Sequence, residues 1–151
     1  MALLAKGTWV VIADGEKALI CENTGTAQAP KLTLRAKMEQ SLAADRDLAA
    51  DRPGRMPDPG EGQRSAMEAT DYHRQAKDRF AAEVGAKVSA LVVRASAERL
   101  VLVAPPTGLP LLRGALSPAA AAAVIAALPK TLTQQPLAEL GSQVAALIDP
   151  L

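Results

Sequence analysis

The chain has 151 residues, of which 49% are apolar and 22% are charged. This composition is that of a globular domain of ordinary size, and it excludes a chain that is disordered throughout. The net charge is +1, which gives no electrostatic reason to expect binding to DNA or to an anionic membrane. The aromatic residues are Trp9, Tyr72 and Phe80, too few for a platform on which RNA bases stack.

Cys21 is the single cysteine, so the chain can form neither an internal disulfide nor a cysteine-based metal cage. It follows the apolar residues Ala18, Leu19 and Ile20, which predicts a buried thiol rather than a reactive one. The longest apolar run, residues 119–128, is about half the length that spans a membrane, and no signal-peptide pattern precedes Lys6. We therefore expect a cytoplasmic protein that uses no metal, no cofactor and no membrane contact.

The first part of the chain predicts three antiparallel strands. Residues 8–13 form a β-branched apolar run, typical of a strand covered on both faces. Asp14 and the glycine after it indicate a hairpin turn before a return strand at residues 17–22. Residues 31–39 alternate strictly between polar and apolar side chains, which indicates a half-exposed edge strand. The alternation predicts that one face of this strand carries Leu32, Leu34, Ala36 and Met38.

The second part predicts helices and two further strands. Residues 68–94 carry one apolar stripe at helical spacing. Residues 99–104 are an apolar run closed by two prolines, typical of a central parallel strand. The remaining predicted elements are a helix with Ser117 as N-cap that ends before Pro129, a short strand near residues 130–133, and a last helix opening at Pro136 and ending near Asp149.

This order, β-β-β-α-β-α-β-α, predicts one three-layer α/β domain over residues 1–151, with a mixed five-stranded sheet in a ribonuclease-H-like arrangement. The same arrangement occurs in two-metal nucleases, which need several converging carboxylates. Asp14 ends the first strand, but the fourth strand ends without an acid. We therefore interpret Asp14 as a turn residue rather than as a metal ligand.

Residues 41–66 show no periodicity and are rich in proline and glycine. So long a stretch within a compact domain is usually functional or disordered. Arg52, Arg55 and Arg64 can make forked contacts to phosphate or carboxylate groups, and the backbone at Gly60 and Gly62 can approach a substrate closely. Acidic and basic residues nearly balance here, so a solvated loop without a ligand remains an alternative interpretation.

Several motifs resemble the bacterial host attachment protein family, whose members are described as required for attachment to host cells. Their order and spacing cover nearly the whole chain. The motifs are Trp9-Val10-Val11-Ile12-Ala13-Asp14-Gly15, Asp51-Arg52-Pro53-Gly54-Arg55, Arg64-Ser65-Ala66-Met67-Glu68, Arg79-Phe80-Ala81, Leu100-Val101-Leu102-Val103-Ala104-Pro105-Pro106, Leu112-Arg113 and Leu116-Ser117.

That family is similar to the central domain of archaeal and eukaryotic class 1 peptide release factors. In those factors a Gly-Gly-Gln loop before a long helix enters the ribosomal peptidyl-transferase centre and helps to place the water that cleaves peptidyl-tRNA. Gly62-Gln63 looks like the end of that loop, with Glu61 in place of the first glycine. The resemblance implies catalytic roles for Gly62 and Gln63.

Two functions follow as hypotheses. In the first, the chain is a translation-linked factor whose 52–66 loop contacts the ribosome or tRNA, with Arg52, Arg55, Gly60 and Arg64 as binding residues. In the second, the chain is a non-enzymatic module whose loop orders on a protein partner and thereby affects attachment to host cells.

Overall fold

A run of buried apolar residues folds back on itself to give the first two strands. In the computed structural model, residues 4–40 and 62–148 are described, with side chains from residue 74 onward in the second range. Strand β1 (Trp9–Ala13) is buried along its whole length and pairs antiparallel with β2 (Lys17–Asn23). The hairpin predicted from the sequence is therefore confirmed.

Strand β3 (Leu32–Glu39) is an edge strand, as predicted, but its faces differ from the prediction. Cys21 lies opposite Leu34, and its neighbour Ile20 lies opposite Ala36. Arg35 is therefore the extra residue of a β-bulge, and the side chains before and after it point to opposite faces of the sheet. The predicted single covered face is wrong, because the inserted residue resets the alternation.

Helix α1 (Gly62–Arg94) is the longest element and begins six residues before the predicted start at Glu68. Residues 62–94 contain no proline, so no residue in this range forces a break in the helix, and it can begin before Glu68. The predicted apolar stripe is confirmed from residue 76 onward, where every fourth residue is buried. This row consists of Ala76, Phe80, Val84, Val88 and Val92.

The chain between β4 (Leu100–Ala104) and the last helix differs from the prediction. Two short helices, α2 (Leu109–Gly114) and α3 (Pro118–Ala123), are followed by β5 (Val124–Pro129). The Ser117 cap is confirmed, since its side chain accepts a hydrogen bond from the N–H of Ala120. The long helix up to Pro129 and the strand at 130–133 are wrong, because parallel pairing with β4 outweighs the weak preference of a six-residue alanine helix.

The sheet has the order β3-β2-β1-β4-β5, in which β1 and β4 and likewise β4 and β5 are parallel. Helices α1, α2 and α3 contribute to the apolar core on one face. Helix α4 (Leu137–Ile148) contributes to the core on the other face. The predicted three-layer α/β architecture is confirmed, with one more helix than the sequence indicated.

Candidate functional site

The residues predicted to bind or react fall into two groups in the structure. Arg52, Arg55 and Gly60 lie outside the described residues. The backbone of Gly62, Gln63 and Arg64 is α-helical and forms the first turn of α1. The sequence predicted these three residues in a loop ahead of the helix, and that prediction is wrong because the helix already begins at Gly62.

Helix α1 begins well before the buried row that its described side chains form. Its 33 residues correspond to about 50 Å, whereas the buried row from Ala76 to Val92 spans about 24 Å. Gly62 therefore lies about 20 Å along the helix axis from Ala76. Gly62 and Gln63 thus lie at the end of α1 opposite to the part whose described side chains enter the core.

Gln40 connects the two ends of the 41–75 segment, which holds every predicted site residue. It follows β3 directly, and its backbone N–H donates to the carbonyl oxygen of Glu16 at 2.8 Å. Its side-chain Nε2 donates to the carbonyl oxygens of Gly15 and Ala76, both at 3.0 Å. The chain thus enters and leaves this segment at neighbouring points beside the β1–β2 turn, and we call Gly15, Gln40 and Ala76 the root of the segment. Sequence reasoning missed Gln40, since one glutamine after a strand has no distinguishing pattern.

The β1–β2 turn beside this root is held by Asp14. Its Oδ1 accepts hydrogen bonds from the backbone N–H groups of Glu16, at 2.7 Å, and Lys17, at 2.8 Å. Its Oδ2 accepts one from the hydroxyl of the buried Thr133. Both carboxylate oxygens are engaged in the fold, which supports the interpretation of Asp14 as a turn residue. Within the described residues, no three potential metal-ligating side chains come together.

Cationic side chains flank the same root. The side chain of Lys77 lies against Gly15, where an added Cβ would be 3.0 Å from its Cε. Lys17 Nζ donates to the carbonyl oxygen of Thr133 at 3.4 Å. On the strand before Gln40, the hydrogen bond and charge of Lys37 lower the pKa of the Glu39 carboxyl, with a smaller contribution from Lys17. The root therefore presents ammonium groups next to the segment that carries the predicted arginines.

Cys21 is not part of a reactive site. Its side chain is fully buried, and burial raises the pKa of the thiol to about 11. At neutral pH the thiol is therefore protonated and a poor nucleophile. The predicted burial of the cysteine is confirmed.

Comparison with models of known protein families shows to which family the chain belongs. The sequence model of the bacterial archaeo-eukaryotic release factor family 12 matches residues 7–144. The chain belongs to this family. The release-factor relationship inferred from the motifs is thereby confirmed. No curated protein gives a significant match. Among the helices of the described residues, none is both long and apolar enough to cross a membrane.

Proposed function

We propose that this release factor family 12 protein is a translation-linked factor that contacts the ribosome or tRNA through residues 52–66. The observation that carries the proposal is the family match over residues 7–144, which includes the whole of this segment. Such contacts are made in the cytoplasm, where ribosomes act. The strand order and the antiparallel direction of β2 also support assignment of the sheet to the ribonuclease-H-like arrangement.

The length of α1 supports this role. A reactive group that must enter a narrow ribosomal cavity has to be held away from the bulk of its own domain. The first turn of α1 lies about 20 Å along the helix from the packed row, which provides this separation. Helical N–H groups at that turn also favour nearby phosphate oxygens. Arg52, Arg55 and Arg64 would add charged contacts to RNA phosphates, and Gly60 would allow close backbone approach.

Peptidyl-tRNA hydrolysis is the reaction that the segment would perform. Gly62 and Gln63 would position water at the ester bond, which is catalysis by orientation. Glu61 adds a negative charge among RNA phosphates, so we expect it to weaken binding. We expect Glu61→Gly to bind ribosomes more tightly than the natural sequence does.

Ribosome co-sedimentation over a salt series tests the binding proposal. Replacing Arg52, Arg55 and Arg64 together by alanine removes three candidate phosphate contacts, so the slope of log affinity against log salt should become shallower by roughly 2 to 3. The matched control replaces the exposed Arg94, Arg99 and Arg113, which removes the same charge from the other end of α1 and its surroundings. Equal losses in the two triple variants would contradict contact through the 52–66 segment.

Hydrolysis is tested separately, with peptidyl-tRNA bound to ribosomes. We expect Gln63→Ala and Gly62→Ala to slow release by about 100-fold, as misplacement of a reacting group does. Gln75→Ala, an exposed position farther along α1, should leave release unchanged. Binding without release in the natural sequence would assign a non-enzymatic role. Absence of ribosome binding would favour the protein-interaction alternative in host attachment, in which deletion of residues 52–62 abolishes partner capture.

A further inference from the structure

The side-chain amide of Gln40 joins α1 to the β1–β2 turn. Its Nε2 donates to the carbonyl oxygen of Gly15 in the turn and to that of Ala76 in α1, both at 3.0 Å. The two hydrogens of an amide NH2 lie in one plane, so a group that donates to two acceptors fixes their relative position. A carbonyl oxygen has two lone pairs, so Ala76 can accept this hydrogen bond and keep its helical one. The amide therefore links α1 to the turn without interrupting the helix.

The acceptor in the turn is a fixed point of the fold. Both carboxylate oxygens of Asp14 stabilise the turn, one through backbone N–H groups and the other through the hydroxyl of Thr133. The backbone N–H of Gln40 also donates to the carbonyl oxygen of Glu16 in the same turn. Because the backbone of Gln40 is tied to the turn, its side chain holds Ala76 against a part of the molecule that cannot easily move.

The position of Ala76 in α1 gives this contact a long reach. Ala76 is the first residue of the buried row, and Gly62 lies about 20 Å before it along the helix axis. A helix is stiff over this length, so a tilt of about 7° at the root moves Gly62 by about 2.5 Å. Misplacement of a reacting group by about 1 Å can slow a reaction about 100-fold. The direction of α1 at the root therefore matters for any chemistry at its first turn.

We propose that Gln40 is a positioning residue, which fixes the direction in which α1 carries Gly62 and Gln63 by joining Ala76 to the β1–β2 turn. Its effect on peptidyl-tRNA release rests on the proposed function, in which Gly62 and Gln63 orient the water. Gln40 lies near the far end of this lever and touches no reacting group. A glutamine that contributed only to folding would change stability without changing the direction of the helix.

Distances between two spin labels, measured by electron paramagnetic resonance, test the direction of α1 without ribosomes. One label is attached at Ser65→Cys in the first turn of α1, and the other at Glu139→Cys, an exposed position of α4 on the other face of the sheet. A second pair, Lys87→Cys with Glu139→Cys, reports on the part of α1 that contains the buried row. Cys21 is buried and its thiol is protonated at neutral pH, so it should remain unlabelled.

Gln40→Ala and Gln40→Met both remove the two donors, and methionine keeps about the same length and an adaptable shape. In both variants we expect the distance between labels at 65 and 139 to shift, or its distribution to widen, by at least about 2 Å, which corresponds to a tilt of about 7°. The distance between labels at 87 and 139 should stay the same. Gln75→Ala is the matched control, since it removes an exposed glutamine from the same part of α1 and should change neither distance.

Release of peptidyl-tRNA on ribosomes provides the second measurement. We expect kcat of both Gln40 variants to fall about 100-fold while KM changes less than about threefold, because misorientation affects the transition state more than binding. Circular dichroism verifies that each variant is folded.

Three results would overturn the proposal: unchanged distances in both Gln40 variants, equal changes in the two label pairs, or a change in Gln40→Ala that Gln40→Met does not share. The last result would assign a packing role to the side chain. Changed distances at residue 65 alone, in a protein that neither binds ribosomes nor releases peptide, would support the role of Gln40 in directing α1 and would contradict the proposed function instead.

Discussion

At the scale of single residues, Gly85 shows how closely two helices approach. A Cβ added there would lie 2.4 Å from the Cβ and 2.8 Å from the carbonyl oxygen of Ala115, which caps α2. Ser89, one turn later on α1, accepts a hydrogen bond from the Ser117 N–H at 2.9 Å and so ties α1 to the start of α3. The close contact between α1 and the short helices therefore requires glycine, which has no side chain, at position 85.

We expect Gly85→Ala to lower the free energy of unfolding by about 1 to 2 kcal/mol. The clash costs about 1 to 3 kcal/mol, and the higher helix propensity of alanine returns up to about 1 kcal/mol. Gly114→Ala is the control, because nothing lies within 4 Å of a Cβ at that helical glycine. Urea unfolding of both variants measures the difference, and equal stability would show that Ala115 can move away.

Burial of Cys21 predicts how the free energy of unfolding changes in alkaline solution. Its thiol pKa rises from an ordinary 9.0 to about 11 in the folded chain, so the folded state binds the proton more tightly than the unfolded state does. This stabilisation is complete below about pH 9 and is lost as the pH rises through about 11. The two-unit difference corresponds to roughly 2 to 3 kcal/mol.

The unfolding free energy of Cys21→Ala should therefore fall less between pH 8.5 and 11.5 than that of the natural chain. Other titrating groups contribute equally to both proteins, so the comparison isolates the thiol. In addition, the folded thiol should react at pH 8 at least about 100-fold more slowly than the unfolded thiol, because its thiolate fraction is lower by that factor. Rapid labelling of the folded protein would contradict the buried, protonated thiol.

At the scale of elements, the bulge at Arg35 divides β3 into two short pieces. The apolar side chains of the two pieces point to opposite faces of the sheet. Deleting Arg35 leaves Leu34 opposite Cys21 and Ala36 opposite Ile20, so both pieces keep their faces. We expect this deletion to cost less than about 1 kcal/mol, the contribution of the exposed pair with Glu22.

Deleting Lys37 gives the contrasting result. Either Arg35 enters the regular ladder and faces α1, or Glu39 takes the place of Met38 on that face. A charged side chain then replaces a partly buried apolar one, and we expect a loss of about 2 to 4 kcal/mol. Thermal unfolding ranks the two deletions, and a larger loss for the Arg35 deletion would contradict the register.

These elements show what the sequence pattern can predict here. The fully buried strands β1 and β4 were predicted because β-branched runs bounded by turn residues have few alternatives. The position of β5 was missed because an alanine run favours a helix locally, whereas pairing with β4 is decided at long range. The Arg35 bulge was missed because polar and apolar residues alternate straight through it.

Part of the candidate site could likewise be predicted from the sequence and part could not. Gly62 and Gln63 were singled out by motif resemblance, but the start of α1 at Gly62 places them on a helix rather than in a loop. Glycine-rich sequence favours a loop, so propensity alone gives the later start. Gln40 was missed because its role depends on the proximity of Gly15 and Ala76, which are distant in sequence.

At the scale of the whole molecule, the contacts of Gln40 predict that residues 41–73 can be replaced without unfolding the rest of the domain. The side chain of one glutamine bridges the departure and return points, so a linker of four to six Gly and Ser residues, with a mean reach of about 11 Å or more, can replace residues 41–73. Both apolar cores draw their described helical members from residue 76 onward, so we expect both to persist in this variant. Shortening the connection also lowers the entropy cost of closing it by roughly 1 to 2 kcal/mol.

We therefore expect this replacement variant to unfold cooperatively, with a free energy of unfolding equal to or above that of the natural chain. It should lose ribosome binding, since it lacks Arg52, Arg55 and Arg64. Urea unfolding and co-sedimentation on one preparation measure the two properties. An unfolded variant would show that the segment belongs to the scaffold, and a folded variant that still binds ribosomes would move the contact to the sheet and its helices.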